Sequence, residues 1–227
     1  GILMTSFVLF FLPILIYLTY WQTTRGFEKQ AIWEVYEENK TLSPLNEQQL
    51  DDGSLERLKY RNILLKGKYI DKSFLLDNRV YRKKRGFEVF TPFLAESGKV
   101  YLINRGWTNS FEEIEVDFFE RVFLIEGILS PFTKYGLDLK NKQETKAFPI
   151  VVQELTHQKA LQILENNTGL EKMVIQLSAA SVGSFEPIWA PLEMQAQRHW
   201  GYAVQWFGLA IVLLYLYIYF GIKQAKK

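Results

Sequence analysis

The chain has 227 residues, which is room for one domain of ordinary size and two membrane spans, not for two large domains. Its 27 Lys and Arg against 25 Asp and Glu leave a net charge of +2, so no global field points to nucleic acid or to an acidic partner. There is no cysteine, which excludes disulfides, thiolate nucleophiles and Cys-ligated metal, and only His157 and His199 can carry imidazole chemistry.

The hydrophobic fraction of 48% hides a sharp segregation, with uncharged apolar runs at the two ends and the charges between them. Ile2 to Tyr20 reads ILMTSFVLFFLPILIYLTY. A helix needs about 20 apolar residues to cross the hydrocarbon, so this run predicts a first transmembrane helix. Pro13 falls mid-span, where neighbouring groups tolerate it and a kink is expected. A cleaved signal peptide is the rival, but it wants a basic start and small residues before the cut. Tyr20-Trp21-Gln22 is instead a bulky aromatic end of the kind that anchors a helix among headgroups. The chain opens at Gly1 without Met, so the true N-terminus is expected to lie upstream.

Arg25 to Asn39 predicts an amphipathic helix running on from the span, with Phe27, Ala31, Ile32, Val35 and Tyr36 on its apolar stripe. Pro44 ends it, and Asp51-Asp52-Gly53 predicts a turn. Strands are then expected at Tyr60–Tyr69, Phe74–Tyr81, Gly86–Leu94, Val100–Trp107, Val122–Leu129 and Met173–Leu177. Each is short, β-branched or aromatic, and bounded by Gly, Pro or charged turns. Their regular spacing suggests a meander closing toward a barrel or sandwich, interrupted by one helix at His157–Glu165 with Gly169 near its end.

Gly201 to Ile222 is a second uncharged run, with Trp200, Tyr202 and Trp206 marking one interface and Tyr217, Tyr219 and Phe220 the other. Lys223, Lys226 and Lys227 follow it, and excess Lys beside a span marks the cytoplasmic side. Both termini are then inside and the domain outside, in a bacterial periplasm or a mitochondrial intermembrane space. The lack of a visible targeting peptide favours the bacterial inner membrane. The fold class is therefore a membrane protein: two transmembrane α-helices flanking a mostly-β (α+β) extracytoplasmic domain, barrel- or sandwich-like. The expected divisions are helix 1–21, domain 22–199, helix 200–222 and cytoplasmic tail 223–227.

No Gly-rich phosphate loop follows a strand, no Ser has a plausible His partner, and no His/carboxylate cluster has metal-site spacing, so an enzyme is not expected. His157 starts a surface helix and reads as a solvated polar residue. The residues of interest gather where the spans meet the outer membrane surface: Trp21, Gln22 and Arg25 from the first, and Arg198 to Trp206 from the second. Arg198, Tyr202 and Gln205 share one face of the second helix, while His199, Ala203 and Trp206 share the next. An aromatic and snorkelling belt explains the Trp, Tyr and Arg without any function. It explains Gln205 poorly, because an amide in an apolar run is costly unless paired. His199, at the boundary, can ligate a metal or simply bond to lipid and water. A second feature is a pair of Asn-Arg elements on neighbouring strands, Asn78-Arg79 and Asn104-Arg105-Gly106-Trp107. Each Arg can clamp a carboxylate ligand, such as a haem propionate, or pair with an acid of the domain or cap a strand end.

These residues also carry a family resemblance. Trp21-Gln22-Thr23-Thr24-Arg25 resembles the W-Q-x-x-R signature of the Surfeit locus protein family. Leu76-Asp77-Asn78-Arg79, Gly86-Phe87 with Thr91-Pro92, and Tyr101 to Trp107 resemble its central blocks, and Arg198 to Phe207 is similar to its C-terminal block. Block order and terminal spans match as well, so the resemblance covers nearly the whole chain. The family has a Gly two residues before the Trp where this chain has Thr19, which argues against a glycine-type close approach of the spans at that level. The resemblance implies an assembly factor for haem-copper cytochrome c oxidase, supplying or retaining haem a for the large catalytic subunit, with haem a synthase as a further partner. It implies His199 as axial ligand to the haem iron, with Arg198, Tyr202, Trp206, Trp21 and Arg25 lining or supporting the site. Gln22, Gln205 and the Asn78, Arg79, Asn104, Arg105, Gly106 and Trp107 elements then shape the domain or its docking surface. A cofactor-free scaffold or accessory subunit that grips the oxidase through its spans is the alternative.

Overall fold

The computed structural model describes residues 2–50, 57–110, 121–136, 148–164, 169–191 and 194–225. The turn expected at Asp51-Asp52-Gly53, the helix end at Glu165, and Lys226 and Lys227 of the tail lie outside the described residues. In chain order the elements are α1 (Ile2–Thr41), β1 (Leu45–Asn46), a 3-10 turn (Glu47–Gln49), β2 (Asn62–Tyr69), β3 (Phe74–Tyr81), β4 (Lys84–Ala95), β5 (Val100–Thr108), β6 (Phe123–Pro131), β7 (Tyr135–Gly136), β8 (Ile150–Val152), β9 (Glu154–Leu155), α2 (His157–Ile163), β10 (Leu170–Leu177) and α3 (Ala196–Ala225). They form two compact units, Gly1–Val35 with Leu192–Lys227, and Tyr36–Pro191.

The first unit is a helix pair. Both helices are long and apolar enough to cross a bilayer. Phe7, Leu9, Phe10, Ile16, Val204, Phe207, Ile211 and Tyr215 are all more than half exposed, a surface that suits hydrocarbon and not water. The chain is a membrane protein. α1 runs unbroken through Pro13 and on to Thr41, so the span and the helix expected at Arg25–Asn39 are one element.

The shielded positions of α1 include Thr5, Val8, Leu12, Leu15, Thr19, Gln22, Gly26, Gln30 and Trp33. Those of α3 include Ala196, His199, Ala203, Trp206, Ala210, Leu213 and Tyr217. Their spacing is three or four throughout, the seam of an antiparallel coiled coil. Thr5 Oγ1 meets Tyr217 Oη at 3.2 Å near one end, and Gln22 meets His199 at 2.8 Å toward the other. This register overturns the expected stripe: Phe27 is 64% and Val35 44% exposed, because Gly26, Gln30 and Trp33 continue the seam instead.

The second unit is a closed five-stranded barrel, β2-β6-β10-β5-β4, with β4 returning to β2. β10 and β5 run parallel, and the other neighbouring pairs are antiparallel. β3 and then β8 extend the sheet beyond β4, and β1 beyond β2. β4 is 12 residues long because it serves both tasks: its first part pairs with β3, and Phe93 to Ala95 close on Tyr69 to Gly67. At that closure Gly67 is required by space, since a Cβ there would stand 2.1 Å from the Leu94 carbonyl oxygen. Gly67→Ala is expected to lower stability by about 1–3 kcal/mol through this overpacking. An unchanged melting temperature by circular dichroism would remove the closure from the account.

Ile63, Leu65, Tyr69, Phe93, Tyr101, Ile103, Ile125, Leu129 and Ile175 fill one core. Phe74, Leu76, Phe90, Val100, Leu102 and Val174 pack in a second with Ile150, Val152, Leu155, Ala160 and Leu164. β5 is buried at all nine positions since each of its faces meets one of these cores.

Candidate functional site

The seam of the helix pair brings one imidazole into an apolar interior. On α1, Thr19, Thr23 and Thr24 return their hydroxyls to the carbonyls of Leu15, Thr19 and Tyr20 at 2.8, 2.8 and 3.0 Å. These polar groups are thereby satisfied within their own helix. Gln22 instead reaches across to α3: its Oε1 lies 2.8 Å from His199 Nδ1. An amide oxygen only accepts, so Nδ1 carries the proton and donates it to Gln22. That places the free lone pair of the neutral ring on Nε2. Nε2 is buried and has no hydrogen-bond partner among the described residues, and the residue as a whole is 9% exposed.

Seven residues on, in the same seam, Trp206 Nε1 is likewise buried without a partner. Two turns of helix separate the two groups by about 10 Å along the axis. A buried polar atom without a partner costs roughly 1–3 kcal/mol, so a lone pair and an N–H donor left open on one helix face need an explanation beyond apolar packing. Beside His199 the helices approach closely at Gly26, where a Cβ would fall 2.0 Å from Trp200 Nε1. Phe27 meets the same indole edge-on, with ring centroids 6.0 Å apart. The close approach missing at Thr19 is thus supplied one heptad later.

The expected convergence is narrower than the sequence suggests. The structure brings Gln22 to His199, while Arg25 turns outward and pairs with Glu28 at 2.7 Å. Arg198, Tyr202 and Gln205 lie on the exposed face of α3, and Trp21 is 41% exposed. Gln205 is therefore not paired within the seam.

In the barrel, the Asn-Arg elements serve the domain. Arg79 Nε pairs with the buried Glu88 Oε2 at 2.8 Å. Asn104 donates both amide hydrogens at 2.7 Å, to Glu88 Oε1 and to Gln176 Oε1. Gln176 in turn donates to Ser130 Oγ at 2.7 Å and Tyr135 Oη at 3.2 Å, and burial pushes the Tyr135 phenol above its usual pKa. Arg105 is 1% exposed, with Nε on the Gly183 carbonyl at 2.7 Å and its guanidinium 4.6 Å from the Phe185 ring. Burial lowers its pKa well below the usual arginine value, to about 10. Gly106, at φ +102°, lets the Glu186 backbone approach, and Trp107 Nε1 donates to the Arg79 carbonyl at 2.9 Å. Asn78 sits at φ +60° with its N–H on Asp77 Oδ1.

Sequence reasoning did not single out Glu88, Ser130, Tyr135 and Gln176. For Glu88 and Gln176 the signal is an acid or amide at an inward position of an apolar strand, as in Phe87-Glu88-Val89 and Ile175-Gln176-Leu177, and Ser130 and Tyr135 carry no such signal. His157 is also corrected: it is not solvated but half-buried, with Nε2 3.0 Å from the Leu170 carbonyl and its ring against Phe132. The helix it begins packs against the second core, which draws it in.

A sequence model of the SURF1 family matches residues 9–211, which takes in most of the first span, the barrel and the first half of α3. A SURF1-like protein of Rickettsia felis is 29% identical over 226 residues, covering 93% of both chains. One from Rickettsia conorii is 27% identical over 230 residues, covering 94% of this chain and 90% of the relative. A third, from Rickettsia bellii, is 26% identical over 219 residues, covering 90% and 85%. Family match, block order and helix–barrel–helix architecture agree: the chain belongs to the SURF1 family.

Proposed function

We propose that this protein is an assembly factor for haem-copper cytochrome c oxidase that carries haem a on His199 and releases it to the large catalytic subunit, taking it from haem a synthase. The observation that carries the proposal is the histidine itself: Nδ1 held by Gln22, and Nε2 a bare, buried lone pair. Among the described residues no three His, Asp or Glu side chains gather as a metal site. A single imidazole suits an iron that brings four porphyrin nitrogens of its own, which is the chemistry haem a supplies when bound. His199 lends Nε2, Gln22 fixes its tautomer, and Trp206 offers an N–H to a polar group at the edge of the macrocycle. Arg25 and Arg198, exposed at the same end of the pair, can meet propionates, with Trp21 and Tyr202 beside them.

Because Nε2 is covered, loading requires the seam to part at His199, and the work of parting lowers the net affinity. A carrier that must let go gains from that. The family resemblance supports the oxidase as the destination. The lysine-flanked end of α3 supports cytoplasmic termini and a periplasmic barrel in a bacterial inner membrane, with the mitochondrial inner membrane as the alternative.

The test is the haem a content of oxidase purified from cells whose sole copy carries His199→Ala. A marked fall is the expected result, and full haem content would refute the carrier role. One observation favours a second reading, a cofactor-free scaffold. Gly201 and Gly208, seven apart on α3, have nothing within 4 Å of a built Cβ, while Ala203 and Ala210 are committed to the seam. Such an open small-residue face admits a partner helix at close range. Full haem content, together with a stable complex between this protein and the oxidase, would establish the scaffold instead.

A further inference from the structure

The β3–β4 hairpin carries a feature that neither the helix seam nor the barrel core uses. Arg79, Arg82, Lys83, Lys84 and Arg85 place five cations in seven positions around its tip. Arg82 and Lys83 are the two loop residues, at φ +47° and +65°, with Tyr81 paired to Lys84 and Val80 to Arg85. A two-residue loop with both residues left-handed favours Asn-Gly, and long side chains with a Cβ are strained there. The hairpin thus sacrifices turn stability to keep positive charge at its apex.

The base of the tip is buttressed. Tyr81 packs on Trp107 with centroids 5.5 Å apart, and its hydroxyl donates to Glu186 at 2.7 Å. The Arg82 guanidinium lies 5.0 Å from the Tyr81 ring and 3.7 Å from the same carboxylate. Arg79 is neutralised by Glu88. Lys83, Lys84 and Arg85 are exposed and make no ion pair among the described residues. Beside them Val80 is 63% exposed, an apolar side chain among cations.

We infer that this hairpin binds the phosphate-bearing headgroups of anionic lipids. Chain continuity favours this partner over an acidic protein. The barrel is tied at Tyr36 and at Pro191 to segments of the membrane-embedded unit, so headgroups are present at high effective concentration. Clustered flexible lysines beside an apolar residue suit a fluid anionic surface, which asks for charge and not for a shaped clamp. This role is separate from ligand binding at His199.

The absence of native cysteine permits a clean test. Lys83→Cys and, independently, Lys84→Cys are labelled with a nitroxide in the full chain, reconstituted in nanodiscs of phosphatidylcholine alone or with phosphatidylglycerol. Label accessibility to a headgroup-bound paramagnetic reagent is then measured, with Lys68→Cys as a reference. The inference predicts a several-fold rise in the anionic discs at both hairpin positions. That rise is lost at high salt and in an added Arg85→Gln background, and the reference label does not share it. Equal accessibility in the two lipids, or no response to salt, would overturn it. So would reversal by millimolar inorganic phosphate, which would make the site one for free phosphate, or a tip that contacts an acidic protein while remaining away from lipid.

Discussion

Arg105→Ala is expected to destabilise the barrel by about 3–5 kcal/mol, the range for emptying a large buried side chain, because it removes a fully buried residue and strands a carbonyl. The guanidinium ties the segment around Gly183 to β5 and stacks on Phe185, so its loss frees that segment as well as opening a cavity. The charge itself is a cost. Burial lowers its pKa to about 10, so above that value the unfolded state, whose arginine keeps its ordinary higher pKa, binds more protons and this residue's contribution rises with pH. At neutral pH, where both states are charged, the shift corresponds to roughly 3 kcal/mol of penalty, offset by hydrogen bonds and packing. Arg105→Met keeps volume and discards the charge, so it is expected to lose clearly less than the alanine variant. Thermal unfolding at pH 7 in detergent decides this, and equal losses in the two variants would contradict the packing argument.

The second large effect concerns the tautomer of His199. Gln22→Leu removes the acceptor from Nδ1 and frees the proton to move to Nε2, which blocks the lone pair. Haem a affinity is expected to fall about 10–100-fold, the usual cost of losing a ligand's outer hydrogen-bond partner. Gln22→Glu retains an acceptor and is expected to restore much of the affinity while shifting the reduction potential of the bound haem to a lower value. Equal affinity in the parent and the leucine variant would mean that the 2.8 Å contact does not hold the ring for ligation.

Most of the barrel is legible in the sequence because its strands are short, apolar and bounded by turn residues. Phe74–Tyr81 is found at the expected limits, and the other five long strands differ by a few residues at their ends. The two-residue strands β1, β7 and β9 have no such signal, since they are defined by a neighbour's backbone and not by their own periodicity. The closure between Gly67 and Leu94 depends on long-range register, and a glycine alone does not announce it.

The candidate site is legible in part. His199 stands out because histidine is scarce, but the amide argument singled out Gln205, which is exposed, while Gln22 was marked only by its place in the interfacial patch and the W-Q-x-x-R resemblance. Which helix faces meet was not legible. The expected apolar stripe of Phe27, Ala31, Ile32, Val35 and Tyr36 is a good amphipathic pattern, but a helix leaving the membrane keeps the register set by its buried seam. Arg25 therefore points away, Phe27 keeps only an edge contact with Trp200, and Gly26, which reads as an unremarkable glycine, becomes a point of close approach.

The central claim is that His199 presents a free Nε2 to the iron of haem a. The most direct measurement is the absorption spectrum of the protein purified in mild detergent from cells that make haem a, beside His199→Ala. A haem a band in the parent that disappears from a variant with an unaltered circular dichroism spectrum is the predicted result. A colourless parent with its barrel folded, or a band that survives the substitution, would contradict the account.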